Sequence, residues 1–297
     1  MTALKEDAKW PRAAHWLKPA TSDTQVDLAV YGVCASQTSI SPTGAHTTPN
    51  AIREALLRYS TYSWSHNIDL GTLTAGDFGN SETPDSPEGE ETTKALANQL
   101  AKNSKLAIAL GGDNSVTFAA MAGAHDLSKS GLITFDAHHD LRDGVSNGSP
   151  VRRLVEAGLS GHKIVQIGIN DFSNSPEYAK LAQDLGIKVI TRAQLRRQTP
   201  EETWLQALSH LGAVETIHVD IDVDVCDRSV VPACPAAAPG GISADELRQF
   251  ALLAGQTNKV TSIDITEIDA TADSPDQRTI RLAALLILEA ATGLALR

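Results

Sequence analysis

Apolar and polar positions alternate along this chain in short blocks. Eight runs read as strands, at 26–33, 67–70, 105–110, 132–135, 163–168, 187–191, 216–221 and 260–265. Most are nearly continuous in apolar residues, as strands covered on both faces of a parallel sheet must be. Between them, 51–59, 176–185, 243–253 and 277–294 carry apolar residues at helical spacing. The stretch 79–91 (GNSETPDSPEGEE) is acidic and rich in Ser, Pro and Gly, and reads as a surface loop. Strands separated by helical segments predict one α/β domain over 1–297, with helices on both faces of a mostly parallel sheet.

In an open parallel sheet, ligands bind beyond the carboxyl ends of the strands. Here LAIAL precedes GGDNS, GLITF precedes DAHHD, TIHV precedes DIDVD, and SIDI precedes TEID. Four strands therefore deliver acidic and imidazole groups to one edge. Alternate residues at a strand exit point the same way, so Asp136, His138 and Asp140 can share a side. Asp222 and Asp224 repeat that spacing, with Asp227 following. Oxygen and imidazole donors without thiolate suit Mn²⁺ better than a structural Zn²⁺. Asp136, Asp140, Asp222 and Asp224 would be costly to bury together, and two divalent cations neutralise all four. Two such ions about 3.5–4 Å apart can share a water, lower its pKa and direct the resulting hydroxide at an sp² carbon bearing nitrogens. A DxD alone commonly just caps a helix. DxHxD and DxD together, each at a strand end, favour metal.

Composition narrows the partners. Lys and Arg number 25 against 36 Asp and Glu, a net charge of −11, which disfavours nucleic acid or an anionic membrane and leaves a small-molecule substrate. The longest apolar segment, 282–296, is interrupted by Glu289 and is too short to span a bilayer. The N-terminus has no signal-peptide core, so a cytoplasmic protein is expected. Cys34, Cys226 and Cys234 lack the spacing of a disulfide framework. Cys34 and Cys234 both follow strand ends; they are read as buried, inert thiols, with a close reactive pair as the alternative.

In this order the motifs resemble those of the ureohydrolase superfamily of arginases, agmatinases and formimidoylglutamases, whose signatures are GGDH, DAHxD and SxDxDxxDP. The matching residues are Gly111-Gly112-Asp113-Asn114, DAHHD at 136–140, and Asp220 to Arg228. Gly44-Ala45 with Ala51-Ile52-Arg53, Asp69-Leu70-Gly71, Pro239 to Ile242 and Thr266-Glu267 extend the likeness over nearly the whole chain. The resemblance implies an eight-stranded parallel sheet, two Mn²⁺ per subunit, and a homo-oligomer, trimer or hexamer. It also implies metal ligands at Asn114, Asp136, His138, Asp140, Asp222 and Asp224.

DAHHDLR at 136–142, NGSP at 147–150, and Gly168-Ile169 with Ser173-Asn174-Ser175 resemble the formimidoylglutamase branch. That branch hydrolyses N-formimidoyl-L-glutamate to L-glutamate and formamide, a late step of histidine degradation. On this reading Asp140 and Glu267 are catalytic and Arg142, Asn147 and Asn174 bind substrate, with Arg152 and Arg153 as further candidates for its carboxylates. Two alternatives stand beside it: an agmatinase- or arginase-type guanidine hydrolase releasing urea, and a weakly metal-binding, non-catalytic homologue.

Three positions depart from the superfamily pattern. Asn114 stands where a ligating His is usual, and an amide oxygen is a weaker donor than imidazole, so that metal should be held less tightly. Asn147 replaces a His resembling arginase's proton shuttle, which leaves the departing amine to be protonated by way of Asp140. Arg228 stands where Pro is usual. His139 is expected to point away from the metals, and His46 and His218 to be structural. GGDNS lacks the Lys and spacing of a phosphate loop; its glycines are expected to let the backbone approach the metals.

Overall fold

The computed structural model describes residues 7–297. Its strands are β1 (Lys18–Pro19), β2 (Val26–Val33), β3 (Tyr62–Ser63), β4 (Ile68–Asp69), β5 (Ala75–Ser81), β6 (Ser104–Gly111), β7 (Ser130–Phe135), β8 (Ile164–Ile169), β9 (Lys188–Thr191), β10 (Thr216–Asp222) and β11 (Val260–Thr266). Its helices are α1 (Thr48–Ala55), α2 (Pro87–Asn103), α3 (Val116–Ala124), α4 (Pro150–Glu156), α5 (Pro176–Asp184), α6 (Arg192–Leu195), α7 (Pro200–Leu211), α8 (Ala244–Gln256) and α9 (Arg278–Ala295).

Among the described residues nine strands form one sheet, in the order β1-β5-β2-β6-β11-β10-β7-β8-β9, and every neighbouring pair in it is parallel. Alternate residues of a strand serve opposite faces. Leu28 and Val30 of β2 join the large core under α1, α8 and α9, while Ala29, Tyr31 and Val33 join the core under α2 and α3. Helices on both faces give the expected three-layer α/β/α sandwich.

The count of eight strands becomes nine, and the reasons are local. Segment 67–70 does not enter the main sheet, because β4 pairs antiparallel with β3 in a small separate ladder. β1 and β5 take places in the sheet instead, and the sequence of β5, AGDFGNS, carries too few apolar residues to register as a strand. The 79–91 loop shrinks to a turn. β5 runs to Ser81, and α2 starts at Pro87 with the Ser86 hydroxyl accepting from the Gly89 N–H. A Ser cap followed by Pro at the first helical position is a helix start hidden in loop-like composition.

The topology positions the site. β10 and β11 return late in the chain and insert between β6 and β7. β6, β11, β10 and β7, whose exits carry the polar motifs, are therefore four consecutive neighbours in the sheet. The apolar segment at 282–296 falls in α9, a buried core helix packed on α8 and α1.

Candidate metal centre

The two acidic motifs meet at the carboxyl edge of the central strands. Ligand atoms of Asp136, His138 and Asp224 lie within 4.8 Å of one another, as do those of Asp136, Asp140 and Asp222. Asp136 belongs to both triads. His138 Nδ1 lies 2.7 Å from Asp224 Oδ2 and 3.5 Å from Asp136 Oδ1. Asp136 Oδ2 is buried without a hydrogen-bond partner, and such an atom normally has one. All four carboxylates are buried. An oxygen-rich, imidazole-bearing cluster with an orphaned carboxylate oxygen fits divalent cations.

Crowding shows in the proton affinities. Burial, reinforced by neighbouring carboxylates, lifts Asp136 and Asp222 well above the usual carboxylate range. Burial also pushes Asp140 up to about 7, with Asp224 adding and His138 opposing. For His138 burial works against the charged form, but the hydrogen bond and charge of Asp224 prevail and hold it up at about 9.

Two residues at the site have left-handed backbones, Asp140 at φ 52° and Glu267 at φ 64°. A non-glycine residue in this region costs roughly 1–2 kcal/mol, and such strain gathers at functional sites. Glu267 is fixed by Asn147 Nδ2 donating to Oε1 at 2.9 Å and by the Asn114 N–H donating to Oε2 at 2.8 Å. Burial, then Asp113, pushes its carboxyl up to about 8.

Asn114 sits beside the cluster with its nitrogen turned inward. Its Nδ2 donates to Asp140 Oδ2 at 2.7 Å, while its Oδ1 accepts from the Thr117 and Thr266 hydroxyls at 2.9 and 2.6 Å. Gly112 allows the turn that brings it there, since a Cβ on Gly112 would lie 1.9 Å from the Ala35 carbonyl oxygen. That contact is with β2's exit loop rather than with the clustered carboxylates.

The centre opens into a cavity of about 400 Å³. Arg142 lines it, exposed, and is the only Lys or Arg among the described residues that do so. Arg152 pairs with Asp143 and Glu156, and Arg153 pairs with Glu90 and stacks on Phe118, so both are engaged elsewhere. Asn174 lines the cavity, but its amide is used on the metal loop, accepting from the His139 N–H at 2.8 Å and donating to the Ala137 carbonyl at 2.9 Å. His139 turns away to Gln166, 2.7 Å from its Nδ1. His218 is fully buried between Ser262 and Asp264, whereas His46 is exposed on a 3-10 turn. Asp227 lies outside the cluster, accepting from Ser229 and the Gly240 N–H. The three thiols are buried and unpaired, and burial raises each of them.

One wall of the cavity carries no sequence motif. Ser39, Ile40, Ser41 and Thr43, on the loop leaving β2, line the cavity, and the Ile40 N–H donates to Asn147 Oδ1 at 3.0 Å. A run of hydroxyl residues directly after an apolar strand was the available signal. Pro235 and Ala236 complete the lining from the loop after β10.

The family model of the arginase family matches residues 26–293. A formimidoylglutamase of Halalkalibacterium halodurans is 37% identical over 277 residues, covering 90% of this chain and 86% of that one. The crystal structure of formimidoylglutamase from Bacillus subtilis superposes with a TM-score of 0.92 at 30% identity, covering 99% of this chain and 95% of that chain. A Trypanosoma cruzi formiminoglutamase crystallised with Mn²⁺ gives a TM-score of 0.87 at 25% identity, covering 97% and 99%.

Proposed function

The chain belongs to the arginase family, and we propose that it hydrolyses N-formimidoyl-L-glutamate to L-glutamate and formamide at a centre holding two Mn²⁺. The observation that carries the two-ion reading is Asp136, shared between two triads of potential ligands. Asp136, His138 and Asp224 would hold one ion, and Asp136, Asp140 and Asp222 the other. Asn114 could reach an ion only by turning its amide over, since its oxygen is taken by two hydroxyls. When bound, the ions supply an acidified water and stabilise charge developing at the attacked carbon.

The chain's own residues do the rest. Glu267, held by Asn147 and the Asn114 N–H, offers a carboxylate to the amidinium nitrogens and so orients the carbon. The bond between that carbon and the glutamate nitrogen breaks, and the leaving amine takes a proton. Asp140, buried and held by Asn114 Nδ2, is placed to pass that proton in the absence of a His at 147. Arg142 at the cavity mouth offers donors to a substrate carboxylate, with Asn147 and Asn174 lining the approach.

The same reading takes the working form to be a cytoplasmic homo-oligomer, a trimer or hexamer. No helix among the described residues is long and apolar enough to cross a membrane.

The test is an assay of the purified protein with added Mn²⁺ against formimidoylglutamate, agmatine and arginine. Glutamate released from the first alone supports the reading. Urea from either of the others overturns it.

A further inference from the structure

We propose that Arg228 is a positioning residue that sets the cavity wall made by Pro235 and Ala236, and that this wall measures the length of the substrate's carbon chain. The inference rests on the proposed amidine hydrolysis and goes beyond it to chain-length selection.

The wall belongs to the loop VPACPAAAPGG at 231–241, which has no regular secondary structure. Prolines at 232, 235 and 239 remove three N–H donors, so carbonyls carry much of the loop's anchorage. Its two ends are tied by the Ala233 N–H to Thr279 Oγ1 and by Arg192 Nε to the Gly240 carbonyl. Arg228 supplies the anchorage between them. Its Nη1 donates to the Cys234 carbonyl at 2.6 Å and to the Pro235 carbonyl at 3.1 Å, and its backbone N–H donates to the Ala238 carbonyl at 3.1 Å. Next to it, Asp227 Oδ2 accepts from the Gly240 N–H at 2.6 Å. Two consecutive residues thus fix the loop at 234, 235, 238 and 240. Among the described residues no carboxylate forms an ion pair with Arg228, so its guanidinium is dedicated to these carbonyls.

Between the anchors, Pro235 and Ala236 face the cavity and are exposed, while Ala237 is buried behind them. Their side chains carry no donors or acceptors. They suit the methylenes of a substrate whose charged ends are met by Glu267 and Arg142, which line the same cavity. Asp222 and Asp224 lead into Arg228 through one 3-10 turn, Val223–Val225, and two further residues, Cys226 and Asp227. One segment therefore registers the wall against the metal ligands. A wall tied rigidly to the reacting centre can discriminate by length, whereas a loose loop adapts to either substrate.

The experiment compares N-formimidoyl-L-glutamate with N-formimidoyl-L-aspartate, one methylene shorter, on wild type, Arg228→Ala, Arg228→Lys and Ala236→Val. One methylene in a fitted apolar site is worth about 10-fold or more in kcat/KM. Wild type should prefer the longer substrate by that order. In Arg228→Ala the preference should fall at least several-fold, through a raised KM for the longer substrate, with Mn²⁺ content unchanged. Arg228→Lys, which keeps a cationic donor, should restore part of the preference. Ala236→Val adds bulk to the wall without touching its anchor and should raise KM for the longer substrate.

A preference unchanged in both Arg228→Ala and Ala236→Val, with only thermal stability lost, would overturn the inference and leave Arg228 a structural tie. Wild type inactive on both substrates would overturn the amidine-hydrolase reading itself, and this inference with it.

Discussion

Asn114 Nδ2 donates to Asp140 Oδ2 at 2.7 Å, so the residue standing in the usual place of a ligating His presents a donor to the centre. Its oxygen is held by Thr117 and Thr266. Turning the amide to offer that oxygen to a cation would disturb these bonds, each worth about 1 kcal/mol. Asn114→His offers an imidazole nitrogen without that cost. We expect the variant to retain Mn²⁺ about 10-fold more tightly through dialysis against a chelator. In the metal-free form its melting temperature should fall slightly, because the two threonine hydroxyls lose their acceptor. Two tightly held ions in unsupplemented wild type would contradict this account.

The metal-free protein should lose stability as pH rises. Asp140 at about 7 and Glu267 at about 8 sit above their unfolded values of 3.8 and 4.5, so the folded state keeps protons that the unfolded chain releases. His138, at about 9 against 6.5, has the same sign, its contribution present below 6.5 and lost as pH passes 9. With more protons bound in the folded state, stability declines with pH across this window, from about 4 to about 9. Mn²⁺ displaces those protons, so its stabilising effect should grow over the same range. Melting curves from pH 5 to pH 9, with and without Mn²⁺, check this. A metal-free protein that gained stability on going from pH 5 to pH 8 would refute it.

Glu267→Gln keeps the side chain's size and removes its charge. One new amide end must face a donor, either Asn147 Nδ2 or the Asn114 N–H, and the attraction for an amidinium is lost. We expect kcat/KM to fall by about 100-fold with Mn²⁺ content little changed. A loss of metal equal to the loss of activity would instead make Glu267 part of the metal site.

Gly112→Ala tests the close approach of the loop after β6 to the exit of β2. The added Cβ would meet the Ala35 carbonyl oxygen at 1.9 Å, and a backbone atom cannot swing aside as a side-chain tip can. The loop carrying Asp113 and Asn114 must move, which breaks the Gly112 N–H bond to the Val33 carbonyl. A loss of about 2–3 kcal/mol in stability and weaker Mn²⁺ binding are expected, both readable from urea melts. Wild-type stability in the variant would show that the approach is not required.

The strands that carry chemistry were legible because each is a continuous apolar run ending in polar residues, as in GLITF before DAHHD. β5 was not, because AGDFGNS near the sheet edge buries little and lacks that signature. The α2 start was masked for a related reason, since Ser86 and Pro87 serve equally as turn and as cap. Within the centre, Asp136 and His138 could be paired from spacing alone. The direction of the Asn114 amide could not, because it depends on two hydroxyls, Thr117 and Thr266, that come from a helix and a distant strand. Arg228 was equally opaque, since its partners are backbone carbonyls, which every sequence supplies.

Phe172 is fully exposed, and its backbone lies at φ 66°, a conformation that costs a bulky residue roughly 1 kcal/mol or more. Among the described residues nothing covers the ring, so the packing lost on truncation is small. Asn tolerates the left-handed region better, and Phe172→Asn should raise unfolding stability by about 0.5–1 kcal/mol. The neighbouring Asn174 holds the metal loop through two backbone bonds that this change leaves in place, so Mn²⁺ binding should not alter. Urea midpoints measured over a range of protein concentration make the test complete. A variant less stable than wild type would mean that the ring is buried in solution after all. A deficit that grows with protein concentration would then locate the cover in a second copy of the chain.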